Sequence, residues 1–108
     1  MSVTIGNNFR RMHETLVDNA SLASGASSAS VIVSDLSQLE FYGTNTTATG
    51  TMTVEISVDL ITWYATSNII NTTAGQDFHG FFNTAADFVR VRANQSMTGL
   101  TLIVSGKR

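Results

Sequence analysis

The sequence contains no cysteine and no proline among its 108 residues, and only 13% of them are charged. Without cysteine the chain can form neither disulfides nor thiolate metal sites, which excludes thiol redox chemistry and cysteine-ligated zinc. Without proline it lacks one ordinary means of protecting the edges of a β-sheet. Bulges, short edge strands, an N-terminal arm or neighbouring subunits must therefore protect those edges.

The charged fraction is about half that of an ordinary soluble domain, and Thr, Ser and Asn take its place. The net charge of −2 provides no field that attracts phosphate backbones, so nucleic acid is disfavoured as the main ligand. A neutral surface rich in hydroxyl and amide groups suits packing against other protein subunits. We therefore expect a homodimer or homotrimer that forms part of a larger assembly.

Long hydrophobic runs are also missing. No apolar stretch is long enough to cross a bilayer, and the N-terminus, MSVTIGNNFRRMHE, lacks the basic and apolar regions of a signal peptide. We expect a product that is made in the host cytoplasm, is not secreted by a signal peptide and does not bind membranes.

What the sequence does contain is strand periodicity. In residues 51 to 64, TMTVEISVDLITWY, apolar and polar side chains alternate with a period of two, and residues 87 to 106 repeat the pattern. Turn clusters separate roughly seven to eight such strands, and no segment has convincing helical periodicity. The predicted fold is an all-β, antiparallel, jelly-roll-like β-sandwich of one domain, residues 14–108, with an extended N-terminal arm, residues 1–13.

Two connections are predicted from composition. The polar run SGASSAS at 24–30 predicts a flexible link, and NTTAGQD at 71–77 predicts a loop. Predicted strands occupy 14–23, 30–34, 36–43, 78–83 and stretches beginning at 51, 63 and 88.

The arm carries the first candidate interface residues. Val3, Ile5 and Phe9 alternate in a way that would add a strand to an exposed sheet edge. Arg10 and Arg11 follow them and would make polar contacts at the rim of an interface.

Arg90 and Arg92 form a second candidate interface, because they share one face of a predicted strand with Phe88. Such a row is often solvated or paired with carboxylates across the sheet. In an assembly it could instead anchor an acidic partner surface, since guanidinium groups bind carboxylates bidentately.

No catalytic or cofactor motif accompanies these strands. Asp77 and His79 could share a strand face, but a metal ion needs three or four ligands and no other His or Cys lies nearby. There is no GxSxG elbow and no phosphate-binding glycine loop. We expect no enzyme activity, no metal and no cofactor.

Three aromatic residues, Tyr42, Trp63 and Tyr64, are the candidates for a glycan-binding platform. The alternative for them is packing in the core or between subunits. We predict that Trp63 is buried in the core behind the turn that precedes it.

The chain resembles small β-sandwich proteins of tailed bacteriophages and prophages over about its C-terminal half. Those proteins have a Ser-x-Asp-Gly-x-x-Trp turn, which Ser57, Asp59 and Trp63 match, with Leu60 where Gly is usual. They also have a later Tyr-Val-Arg-Val-like strand, which the residues from Phe88 onward match.

The resemblance implies a virion structural protein. One form is a capsid decoration, or cement, protein that binds the major capsid protein and stabilises the outer shell. The other is a tail or fibre-associated domain that binds a receptor or glycan. The short length of the chain and its arm favour decoration.

Overall fold

The computed structural model describes residues 11 to 107, which contain eight strands. The predicted all-β antiparallel sandwich is confirmed. No helix among these residues is long and apolar enough to cross a membrane. The strands are β1 (Arg11–Leu22), β2 (Val31–Ile32), β3 (Gln38–Thr44), β4 (Gly50–Ser57), β5 (Tyr64–Thr72), β6 (Asp77–Asn83), β7 (Phe88–Ala93) and β8 (Met97–Lys107).

The strands form two sheets of four. Sheet 1 has the order β1-β8-β3-β6, and sheet 2 has the order β2-β7-β4-β5. All neighbours are antiparallel, and the pairs β1–β8, β2–β7, β3–β6 and β4–β5 are those of one long antiparallel ribbon. Only β4 and β5 follow one another within one sheet, and each of the other six connections passes from one sheet to the other.

The core lies between the sheets and is built from alternate side chains, as the strand periodicity predicts. In sheet 2, Met52 of β4 pairs with Ala93 of β7 and Val54 pairs with Val91, and all four side chains are buried. Burial of each side chain of this size stabilises the fold by roughly 1.5–3 kcal/mol. The largest buried side chains are those of Phe41, Leu39, Met52, Ile70, Met97, Leu100 and Leu102.

Three of the four edge strands are irregular or short. Strand β1 has three register shifts against β8, and β5 has one against β4. Strand β2 has only two residues. Bulges and a short strand therefore blunt these three edges, whereas the fourth, β6, pairs with β3 without a register shift.

The segment 24–30 is not a free link. The backbone N–H of Gly25 donates to Ala93 O at 2.8 Å, and that of Ser28 donates to Val91 O at 2.8 Å. The segment follows β7 because the two-residue β2 leaves the rest of that strand edge open for pairing.

Two predicted boundaries differ from the structure. Strand β1 begins at Arg11, since residues 11 to 13 pair with Lys107, Gly106 and Ser105, so the strand starts three residues before its predicted start at residue 14. Strand β5 continues to Thr72, into the predicted loop. The arm residues Val3, Ile5, Phe9 and Arg10 lie outside the described residues.

One end of the sandwich collects several connections. In sheet 1, Arg11 is opposite Lys107, Lys107 is opposite Gln38, and Gln38 is opposite Asn83. The β4–β5 loop reaches this same end, because it follows Ser57, which pairs with Phe88 at the start of β7.

Candidate interaction site

The β4–β5 loop is held by a network of hydrogen bonds around two side chains. Ser57 Oγ accepts the backbone N–H groups of Asp59 at 3.2 Å and Leu60 at 3.0 Å. The Ser57 hydroxyl donates to Asp59 Oδ1 at 3.1 Å. That oxygen also accepts the N–H groups of Ile61 and Thr62, each at 2.9 Å. The loop is therefore ordered by its own polar side chains.

These bonds also set the charge of the loop. The N–H of Thr62, followed by that of Ile61, lowers the pKa of Asp59 below its ordinary value of 3.8, because both donors favour the ionised carboxylate. Asp59 is thus a fixed negative charge at neutral pH.

Leu60 adopts a left-handed backbone conformation with a φ of +66°. This is the conformation that glycine tolerates best, and Leu60 adopts it despite its Cβ atom. The bonds from Ser57 and Asp59 on both sides of Leu60 hold it there.

The loop presents apolar side chains to solvent. Val58 is 68% exposed, Leu60 48% and Ile61 83%; we call these three residues the apolar tip. Connecting loops are ordinarily polar, and an exposed apolar cluster on an ordered loop is typical of a contact surface. The ionised Asp59 within the tip opposes insertion among lipid chains, so the tip suits a protein partner.

A cleft of about 430 Å³ opens between the two sheets beside this loop. Its interior is formed by Leu39 from sheet 1 and by Val54 and Val89 from sheet 2, which are all buried. We call it the inter-sheet cleft. The exposed residues of its lining mark its mouth and are Val58, Tyr64, Asn83 and Ala85.

The arginines predicted as interface residues lie on the outer face of sheet 2. Arg90 Nε donates to Glu55 Oε1 at 2.8 Å, and Arg92 Nη1 donates to Glu55 Oε2 at 3.1 Å. Only 6% of the Glu55 side chain is exposed, against 28% and 36% of the two arginines. Both arginines are therefore paired with a carboxylate on the neighbouring strand, which is one of the alternatives given for this row.

Trp63 lies on the same face and not in the core. The guanidinium carbon of Arg90 is 4.3 Å from its ring centroid, and Trp63 is half-buried. The predicted core position is wrong because the loop delivers Trp63 to the outer side of sheet 2, where Arg90 covers the ring.

The outer face of sheet 1 carries a different polar cluster. The hydroxyl of Tyr42 lies 3.0 Å from Ser105 Oγ and 3.2 Å from His13 Nδ1. His79 pairs with Tyr42 in register, and Asp77 lies two residues from it on β6. Within residues 11–107 no group of three or more His, Asp or Glu side chains could hold a metal ion.

The three predicted glycan-contact residues do not form one platform. Tyr42 belongs to sheet 1, whereas Trp63 and Tyr64 lie at sheet 2. Tyr64 is 58% exposed at the mouth of the cleft.

Sequence reasoning did not identify the apolar tip or the buried Glu55. The signal for the tip is the pair Leu60-Ile61, two large apolar residues within a turn. No comparable signal marks Glu55, which occupies an ordinary polar position of an alternating strand and is buried by the side chains around it.

No protein-family model and no curated protein matches the chain. Solved structures do. The SPBc2 prophage-derived protein YomS superposes with a TM-score of 0.69 at 13% identity, over 100% of this chain and 99% of its own. The PBSX exported protein XepA gives 0.63 at 20% identity, over 88% of this chain and 36% of its own.

A further similar chain comes from Bacillus endospore appendages, which are described as disulfide-linked pili. Its TM-score is 0.56 at 17% identity, over 91% of this chain and 86% of its own. At these identities the three likenesses show a shared fold.

Proposed function

We propose that the chain is a non-enzymatic structural subunit of a tailed bacteriophage or prophage particle that decorates the outer capsid shell as a cement protein. The observation that carries the proposal is the apolar tip on an ordered loop. An ordered loop loses little conformational entropy when it docks, so its exposed apolar area is available for binding.

The tip fits a protein shell better than a small ligand. Val58, Leu60 and Ile61 lie at the end of the sandwich, and one carboxylate oxygen of the Asp59 among them is occupied by bonds within the loop. Such a surface binds by shape and apolar burial. Decoration then stabilises the shell by covering boundaries between major capsid protein subunits.

The structural neighbours support a particle component without establishing it, since one fold serves many functions. YomS is prophage-derived and has the same extent as this chain, so this fold and size occur in a protein of phage origin. The endospore appendages are disulfide-linked, whereas this chain has no cysteine. Disulfide bonds therefore cannot link it to other subunits.

A tail or fibre-associated domain that binds a receptor or glycan is the second candidate. The exposed ring of Tyr64 beside the inter-sheet cleft favours it, because aromatic rings at a cleft can stack on sugar faces. Trp63 is less suitable, since Arg90 already covers its ring.

Immunogold labelling of purified particles separates the two candidates. Decoration predicts gold over the shell, whereas gold confined to the tail would contradict it. A glycan array with the purified chain provides the complementary test. A specific glycan signal that Tyr64→Ala abolishes would favour the second candidate.

A further inference from the structure

We infer that the inter-sheet cleft of one copy receives the N-terminal segment, residues 1 to 10, of a second copy. This inference rests on the assembly part of the proposed function. It concerns contacts between copies and not contacts with a shell. The inference can therefore be wrong even if the chain does decorate the shell.

The cleft is a gap in the core that opens to solvent. Leu39, Val54 and Val89 pack in the core and also line the cleft, and the half-buried Phe82 forms part of its wall. Its volume of about 430 Å³ is within the range of preformed binding sites. An apolar occupant would cover the half-buried Phe82 and the exposed Val58 and Tyr64 of the lining and remove their apolar surface from water.

The N-terminal segment has the composition of such an occupant. Val3, Ile5 and Phe9 lie at odd positions, so an extended backbone would place them on one face, together with the uncharged Asn7. Arg10 is the only charged side chain among the ten residues. The apolar face can therefore enter the cleft without burying a charge.

The reach of the chain favours a second copy over the same copy. Arg11 is separated from Asn83, at the cleft mouth, by three steps across sheet 1, or roughly 14 Å. Phe9 is two residues from Arg11 and reaches at most ~7 Å from it. Only Val3 and Ile5 could reach the cleft of their own copy. All three apolar residues, including Phe9, can reach the cleft of a second copy that lies beside Arg11.

The geometry also allows a closed arrangement. Strand β1 starts at the same end of the sandwich as the cleft mouth, as the register of Arg11, Lys107, Gln38 and Asn83 shows. Two copies that lie side by side, with these ends pointing the same way, can exchange segments reciprocally and form a two-fold dimer whose apolar tips remain on one side.

Cross-linking tests the contact without background, because the chain has no cysteine. Full-length Ile5→Cys is mixed with full-length Ala85→Cys, which carries a mass tag, and a short bis-maleimide is added. Ala85 is exposed and lines the cleft. Ile5→Cys mixed with Thr73→Cys is the control, since Thr73 is exposed in the β5–β6 loop.

Segment exchange predicts a mixed cross-linked dimer that forms at least ~10-fold faster than in the control, because binding brings the thiols to millimolar effective concentration. Equal rates in the two mixtures would overturn the inference. A cross-linked monomer from the Ile5→Cys/Ala85→Cys double variant, without mixed dimer from the single variants, would overturn it as well, since the segment would then occupy its own cleft.

Two further variants keep the test independent of cysteine chemistry. Ala85→Trp should block the cleft mouth and shift the chain toward monomer in sedimentation. A chain that begins at Arg11 lacks the segment and should also shift toward monomer. Ala65→Trp, at an exposed alanine of β5 outside the cleft lining, should leave self-association unchanged. Equal association by Ala85→Trp, Ala65→Trp and the original chain would overturn the inference.

Discussion

The guanidinium carbon of Arg90 lies 4.3 Å from the centroid of the Trp63 ring. This contact joins the end of the β4–β5 loop to the middle of sheet 2, since the same guanidinium also donates to Glu55. The loop that carries the apolar tip is thus anchored by polar bonds at its start and by a cation–π contact at its end.

A double-mutant cycle on Trp63 and Arg90 tests this contact. Because Trp63 is half-buried on the outer face, Trp63→Ala should cost about 1–2 kcal/mol of unfolding free energy, less than the ~3–5 kcal/mol typical of a core aromatic. The coupling with Arg90→Ala should be about 0.5–1 kcal/mol, measured by urea unfolding. A cycle with Arg92→Ala is the control. Strict additivity of the first pair would show that the stacking contributes nothing.

Glu55 should matter more than an ordinary surface carboxylate. Glu55→Gln keeps the size of a side chain that is almost fully buried but removes the charge facing Arg90 and Arg92. We expect a loss of about 1–2 kcal/mol, between the values for exposed and fully buried ion pairs. Glu40→Gln, at an exposed position of β3, should change stability by less than about 0.5 kcal/mol. Equal effects of the two substitutions would contradict this assignment.

Leu60→Gly should stabilise the fold or leave it unchanged, although most substitutions destabilise. The left-handed conformation costs a residue with a Cβ atom roughly 1–2 kcal/mol, which offsets the greater backbone entropy that Gly loses on folding. Leu60→Ala removes most of the same exposed side chain but keeps a Cβ atom and hence the cost of the left-handed conformation. Its melting temperature should therefore lie below that of Leu60→Gly. A melting temperature for Leu60→Gly below that of Leu60→Ala would show that the backbone at this position is not strained.

Asp59 predicts a pH dependence. Its pKa is lowered in the folded chain, so its contribution to stability is fully present above its ordinary value of 3.8 and is lost as pH falls through the lower, folded value. Thermal melts between neutral and acid pH should therefore show a steeper decline for the original chain than for Asp59→Asn. Parallel declines would mean that the loop does not depend on the carboxylate.

The sequence predicts the sheets well because alternation in strands such as β4 and β7 reports directly which face is buried. It predicts the loops less well. The segment 24–30 is polar, but its pairing with Ala93 and Val91 depends on the shortness of β2, which composition does not reveal. The motif position of Trp63 predicts a core residue, and only the path of the loop in three dimensions shows that Arg90 covers its ring. The inter-sheet cleft is likewise a property of how two sheets separate and leaves no local pattern.

The central claim, attachment to a phage shell through the apolar tip, is tested most directly by quantitative co-sedimentation with capsids from a phage that lacks this gene. The claim predicts saturable binding with a fixed number of copies per shell. It also predicts that Ile61→Asp reduces this binding at least ~10-fold, as the loss of a central apolar contact does. Ile69→Asp, at an exposed isoleucine of β5 outside the tip, should bind as the original chain does. Capsids that sediment without the chain, or that retain Ile61→Asp as well as the original, would contradict the claim.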